Sequence, residues 1–484
     1  MSLLVEQNHA YRNVPKDADI STAFEGVEVL YMNEKIVFGD TGISSRADKV
    51  EELEGKHKKL WKYFVEYKQG MTSPILLEVF RDPDTQKLEF VTMQDDETVI
   101  CGWVEIDGIV IMPPSPKIAA IIKLPGKPVE YGDIVTLGRD VRDFIHTWCD
   151  VSPDYEKIAA NYPFHTWVHD RYHTVPYLRV QADWGSGKTR FLDTVGGLSY
   201  RATNIAGATA AVIYRLQNQW KGTLVWDEAD LLDSSTRSEM VKILNLGFEK
   251  GHYIPRCGQD NFNNIEAFDP FGPKILGSRN AFTDNAFESR CFTEVLQETT
   301  REDIPRSLND EFHRTQEELR SKLLMFRLKH WSQLDSDAPN KVDLRGIDKR
   351  LKQIASPFAV TMEMVTPDYM EEFRTNYLPK YQQGLRANRA DTEEGMVASV
   401  ILELREKGDS DRITYIDIQR GMSTSYAGIP LKPQTIGYIV RGLGIKTPLR
   451  MTVGGKYTMY FRKDDPALDR IAEKYGQKDE EATQ

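Results

Sequence analysis

The chain has 484 residues, 40% hydrophobic, 28% charged and 10% aromatic, the balance of a globular protein with room for two to four domains. Its 62 lysines and arginines against 73 aspartates and glutamates give a net charge of −11. That charge excludes a protein that coats nucleic acid with its whole surface; any such contact must use a local patch, a ring pore or one small domain. No apolar run is long enough to span a membrane, and the stretch "MSLLVEQNHAYRNVPKD" has no signal-peptide character. Cys101, Cys149, Cys257 and Cys291 stand too far apart for a zinc site or a disulfide framework, which points to a reducing, cytoplasmic setting with no membrane partner.

Residues 1 to about 20 read as a flexible end. From about 21 to 125, "GVEVLYM", "ILLEVF", "KLEFVTM" and "DGIVIM" alternate like strands, with one helix expected over 47–67. This predicts a small α/β domain over 1–135, without evident chemistry and open to a protein partner. The prolines of "MPPSPK" (112–117) and "LPGKP" (124–128) mark a linker. Over 136–300 strands and helices alternate, the pattern of a parallel α/β sheet. Residues 301–385 read as helical, and 386–484 as a separate unit with a polar tail.

The apolar strand "TVPYLRVQA" (174–182) runs into "DWGSGKT" and then the helical pattern "RFLDTVGGL". Strand, glycine loop and helix in that order make a phosphate-binding site. Gly185, Ser186 and Gly187 let backbone N–H groups approach phosphate oxygens at a helix start. Lys188 reaches the β- and γ-phosphates, and Thr189 offers its hydroxyl to Mg²⁺. The motif ordinarily opens with glycine and here opens with Ala182, a small change at the end of the strand. ATP with Mg²⁺ is the expected cofactor, with GTP open. The second half of the site is "GTLVWDEAD", where Asp227 holds the metal and Glu228 activates water. From Lys188 to Asp227 is 227 − 188 = 39 residues, room for a helix, a strand, a second helix and the acidic strand. The four letters D-E-A-D resemble a helicase signature only as a string, because that family needs a longer interval and a second similar domain.

"GPKILGSRNAFTDNAFESRCFTEVL" (272–296) resembles the AAA+ ATPases: a sensor asparagine at a strand end, then an arginine about a dozen residues on. The resemblance implies that Asn280 positions the attacking water, with Arg279 as a competitor, and that Arg290 is an arginine finger for a neighbouring subunit. Clamp-loader subunits carry the same Ser-Arg-Cys string. "DKRLKQIASPF" (348–358) resembles the lid helix of ATPases of phages, plasmids and integrated elements, which makes Arg350 the lid arginine and Arg345 its fallback. The resemblance covers about residues 160–360 and implies a homo-oligomer, a hexamer.

Two elements could meet DNA. "GHYIPRCGQDNFNNIEAFDPFGPK" reads as a β-hairpin; ring helicases resembling this chain carry one in the pore. Here Lys250, His252, Arg256 and Phe262 would serve, although Asp260 sits at the tip, and a purely structural hairpin is the alternative. In the last unit, three helices and a two-stranded wing turning at Gly454-Gly455 resemble a winged helix. Lys432, Gln434, Thr435, Tyr438 and Arg441 would face DNA from its third helix, with Arg450, Lys456 and Arg462 at the wing; docking a protein is the alternative. His165, His169 and His173 fall at i, i+4 and i+8, but without other ligands they read as packing.

The expected fold is therefore α/β: an AAA+-like P-loop NTPase core with a parallel sheet, a small amino-terminal α/β domain, a helical lid and a carboxy-terminal winged helix. The expected function is an ATP-hydrolysing ring motor on single-stranded or forked DNA, a replicative-type helicase. Its rivals are an ATP-dependent loader or initiator and a nucleotide-switched assembly or defence protein.

Overall fold

The computed structural model describes residues 28–29, 36–39, 65–66, 76–94, 96–106, 109–111, 113–114, 119–183, 185–227, 234–257, 265–279, 285–390, 392–407, 410–426, 431–445 and 448–475. The helix expected over 47–67 lies outside them except for Val65–Glu66. That pair is a two-residue strand, parallel to Glu28–Val29. The chain divides into two compact units. One runs to Arg345 and resumes over Lys349–Glu372; the other comprises Gly346–Asp348 and the residues from Phe373 onward.

The first unit is built on a six-stranded sheet. Its strands are β1 (Ile122–Lys123), β2 (Tyr177–Gln181), β3 (Ala202–Asn204), β4 (Leu224–Trp226), β7 (Lys274–Ser278) and β8 (Cys291–Val295). Between β4 and β7 in the chain, β5 (Ile254–Cys257) and β6 (Ile265–Phe268) form a separate antiparallel hairpin. The order across the large sheet is β8-β2-β7-β4-β3-β1, parallel throughout except at the β1 edge. β4 and β7 are buried along their length, as a parallel sheet covered on both faces requires.

The helices α1 (Ile134–Trp148), α2 (Pro153–Val168), α3 (Lys188–Leu198), α4 (Ala210–Trp220), α5 (Ser234–Leu246) and α6 (Asn285–Glu288) surround it. Starts are set locally: the Asp133 carboxylate accepts from Thr136 N at 2.8 Å, and Ser152 caps α2 with Pro153 in its first turn. Burial covers most of α2, so it carries no amphipathic stripe.

One expected boundary differs. The "LPGKP" stretch is no linker: Leu124, Pro125 and Gly126 are buried. Gly126 N donates to Ser321 Oγ at 3.1 Å, Arg320 Nε donates to Leu124 O at 3.3 Å, and β1 adds a strand to the sheet. Two helices of the region expected as a helical lid pack within the first unit. Helix α7 (Asp310–His330) packs on α1, α2 and α3, and α8 (Lys349–Val365) on α1 and α2.

A buried charge network ties the amino-terminal strand Glu78–Arg81 into this unit. Glu78, 2% exposed, accepts from Tyr200 Oη at 3.0 Å, from Arg201 at 2.7 Å and from Arg327 at 2.6 Å. Arg327 also donates to both carboxylate oxygens of Asp170 at 2.8 Å. Burial works to raise the Asp170 carboxyl, and Arg327 overcomes it, holding the group well below the usual carboxylate range.

The second unit contains helices α9 (Leu378–Ala390), α10 (Glu393–Lys407), α11 (Tyr415–Ser425), α12 (Pro433–Gly442) and α13 (Ala467–Tyr475). Its sheet, β9 (Arg412–Thr414), β10 (Leu449–Val453) and β11 (Lys456–Arg462), is antiparallel in the order β9-β11-β10. The sequence reading anticipated the hairpin but neither β9 nor α13. β9 is only three residues long and leads directly into the Thr414 capping box of α11, so no alternation could develop. Ile401, Ile418, Ile436, Phe461 and Leu468 belong to one core that joins α10, α11, α12, β11 and α13.

Candidate active site

The phosphate loop follows β2. Ala182 is 4% exposed, and its N–H donates to Ser278 O at 3.0 Å, so it continues the strand pairing where the motif ordinarily has glycine. Gly185 (φ +78°) and Gly187 (φ +84°) both take the left-handed conformation, although a methyl group on either would meet nothing within 4 Å. The backbone shape, not space, requires glycine there. Gly187 caps α3, whose first residues are Lys188 and Thr189, with Ser186 just before the cap. Lys188 Nζ donates to the loop carbonyls of Ala182 and Asp183, at 2.9 Å for the second.

The structure brings the two halves of the expected site together. Thr189 Oγ1 donates to Asp227 Oδ2 at 2.7 Å across 38 residues. A hydroxyl and a carboxylate oxygen at that separation, open to solvent on a helix start, are the donor set a hard divalent cation prefers. The sheet order explains the meeting. β7 lies between β2 and β4, and in a parallel sheet ligands bind beyond the carboxyl ends of the strands. The chain leaving β7 at Ser278 toward Arg279 therefore emerges between the phosphate loop and Asp227. Glu228 and Asn280 lie outside the described residues.

Sequence reasoning missed two neighbours of this pair. Gly277 sits where a methyl group would come within 3.1 Å of Asp227 Oδ1. Asp193 follows Thr189 by one helical turn, a spacing that could have drawn attention to it. Its carboxyl is raised from its ordinary value, first by burial and further by the charge of Asp227.

Arg290 and Arg350 stand elsewhere. Arg290 O accepts from Tyr177 N at 2.9 Å, at the start of β2, while the phosphate loop follows its end. Four strand steps of about 3.3 Å, roughly 13 Å, separate the two. The Arg290 guanidinium lies 4.4 Å over the Phe248 ring and is 7% exposed. Arg350, expected as a lid arginine, lies 5.3 Å over the same ring, is exposed, and donates to Gln353 at 2.8 Å. Phe248 O accepts from Val175 N, which fixes this cluster at the amino end of β2. The structure thus places Arg350 with Arg290 and not beside Lys188. Arg345 pairs with Asp343 at 2.7 Å.

At the hairpin, Arg256 is half-exposed, 5.2 Å over the Tyr214 ring and 3.4 Å from Glu239. Lys250 donates to Asp170 O at 2.6 Å, and His252 faces Glu249 at 3.6 Å. Phe262 and Asp260 lie outside the described residues. In the second unit α12 buries Ile436, Ile439 and Val440 and exposes Lys432, Gln434, Tyr438 and Arg441. Tyr438 is 75% exposed. Thr435 is half-buried, Arg450 exposed, and Arg462 at the end of β11; Lys456 begins that strand. The histidine row does not share one face. His165 meets Tyr172, Phe358 and Thr361; His169 meets Tyr200 and Phe271; His173 pairs with Glu249 at 3.3 Å.

No protein-family model and no curated protein matches the sequence. Among solved structures, the chain is similar to the apo C-terminal region of NrS-1, with 11% identity, TM-score 0.37, and 80% of this chain and 96% of that one covered. It is also similar to a full-length MCM homolog from Methanopyrus kandleri (9%, TM-score 0.34, 69% and 85% covered). A third is the Aeropyrum pernix ORC1 protein in complex with DNA (13%, TM-score 0.20, 67% and 93% covered). With TM-scores this low, these likenesses assign no residue a role and set no activity.

Proposed function

We propose that the chain is an ATP hydrolase that works as a ring of copies, a hexamer, and moves along DNA as a replicative-type helicase of a phage, plasmid or integrated element. The ATP assignment is carried by one observation: Thr189 and Asp227 meet at 2.7 Å beneath a loop whose two glycines are left-handed. In this reading Gly185, Ser186, Gly187 and Lys188 hold the triphosphate, Thr189 and Asp227 hold Mg²⁺, Glu228 activates water and Asn280 orients it. Arg290 acts on an adjacent copy's nucleotide, because roughly 13 Å of strand separates it from its own loop. Arg350 accompanies it at that edge. Lys188→Ala and Glu228→Gln should each abolish hydrolysis, and undiminished turnover in both would sink the assignment.

The DNA assignment is supported by the second unit, which we read as a winged helix with α12 as its recognition helix. Its exposed row of Lys432, Gln434, Tyr438 and Arg441 combines cations, an amide and an aromatic ring on one face. Lys456 and, in the hairpin, Arg256 and Phe262 would add contacts. A non-unwinding loader is favoured by the hairpin base, where Arg256 is engaged with Tyr214 and Glu239. Displacement of a strand from forked DNA separates the two readings: a helicase does it with ATP, a loader does not.

A further inference from the structure

We propose that Arg179 and Glu288 form a buried strut that positions Arg290 for the nucleotide site of an adjacent copy of this chain. The proposal rests on the reading of the chain as an ATP hydrolase that works between copies.

Arg179 lies in the middle of β2 and is 0% exposed. A guanidinium inside a central strand needs acceptors in several directions, and its planar fork can serve them where a lysine could not. Here Nε donates to Ser278 Oγ at 3.1 Å, one terminal nitrogen donates to Gln181 Oε1 at 3.1 Å, and the other forms a short ion pair with Glu288. Each acceptor stands at the root of a segment that the site uses. Gln181 precedes the phosphate loop, Ser278 precedes Arg279, and Glu288 lies two residues before Arg290.

The Glu288–Arg290 segment is held to β2 at two points. Tyr177 N donates to Arg290 O at 2.9 Å, and Arg179 grips Glu288. A further bond, Arg290 N to Phe287 O at 2.9 Å, closes the turn, so the backbone that carries Arg290 has little freedom. It sits just before β8, the edge strand of the sheet, where a second copy could approach. An ion pair of this kind, with Arg179 buried and Glu288 partly exposed, adds little net stability over an apolar pair, so its use is geometric: it fixes where the arginine starts from.

The test uses the full chain with ATP and Mg²⁺. Glu288→Gln should melt at a lower temperature, because it leaves the buried Arg179 without that carboxylate; assayed well below that melting temperature it should still bind a fluorescent ATP analogue within about twofold of wild type, while kcat falls about a hundredfold because Arg290 is misplaced. Lys188→Ala, which lacks its own site and keeps Arg290, should be inactive alone. Mixed, the two should hydrolyse ATP well above either one, because an intact site then meets an intact arginine. Arg179→Lys should behave as Glu288→Gln does, and it carries the test if Glu288→Gln does not fold. Wild-type turnover in Glu288→Gln, or a loss that mixing does not recover, overturns the strut. A wild-type chain that hydrolyses no ATP instead overturns the functional reading on which the strut rests.

Discussion

At Gly277 a single added methyl group would reach 3.0 Å from Leu192 Cδ1 and 3.1 Å from Asp227 Oδ1. Overpacking of that kind costs about 1–3 kcal/mol, and here the movable party is the carboxylate that pairs with Thr189. Gly277→Ala should slow ATP hydrolysis about tenfold and raise the Mg²⁺ concentration needed for half-maximal rate, with the circular dichroism spectrum unchanged. Two buried histidines give a second expectation. Burial lowers His165 to about 3 and His169 to about 4, His165 also feeling His169. The unfolded chain takes up these protons near the ordinary value, and the folded chain refuses them until well below it. Between about pH 6.5 and pH 4 the unfolded state therefore binds more protons, and stability falls as pH falls. The loss is on the order of 3 kcal/mol for each histidine over that window. His165→Leu should flatten the melting temperature against pH there; an unchanged slope would refute the assignment. The two left-handed glycines were legible because the loop's backbone demands them within a short string, and Asp227 because it ends an apolar strand; the Thr189–Asp227 pair itself appears only in the fold. Arg179 was not legible, because a charge in an apolar strand reads as an interruption until its acceptors are seen.

Among the elements, those with a strong local signal could be read: β2 with α3, the β5–β6 hairpin, and the turn at Gly454-Gly455. The element misread was the "LPGKP" stretch, where prolines suggested a linker and distant partners, Ser321 and Arg320, decided otherwise. No window of sequence contains both sides of that contact. The same holds for Glu78, whose partners Arg201 and Arg327 are 123 and 249 residues away. Glu78→Gln removes the carboxylate that Arg201 and Arg327 share, and breaking such a pair costs about 3–5 kcal/mol. The thermal midpoint should fall accordingly. Adding Arg327→Met to it should cost less than the sum of the two single changes, because both act in one network.

For the whole molecule, charge and assembly pull in different directions. Copies with a net charge of −11 repel one another, and salt screens that repulsion within a Debye length of about 10 Å at 0.1 M. In the proposed function, contacts of the α12 face with DNA phosphates would weaken with salt by counterion release. Raising salt from about 50 to 200 mM should therefore strengthen the oligomer formed with a non-hydrolysable ATP analogue while weakening DNA binding. Sedimentation velocity with and without single-stranded DNA checks both, and parallel salt trends in the two would contradict this account.

The burial of Leu124 to Gly126 beneath α7 bears on how the protein can be taken apart. A chain trimmed to begin at residue 136 would lose the β1 edge and Glu78 together. It would leave the sheet with a raw margin at β3, and Arg201 and Arg327 facing an emptied interior. The amino-terminal strand is thus a wall of the unit that carries the phosphate loop, and a fragment meant to test ATP chemistry should begin before residue 76.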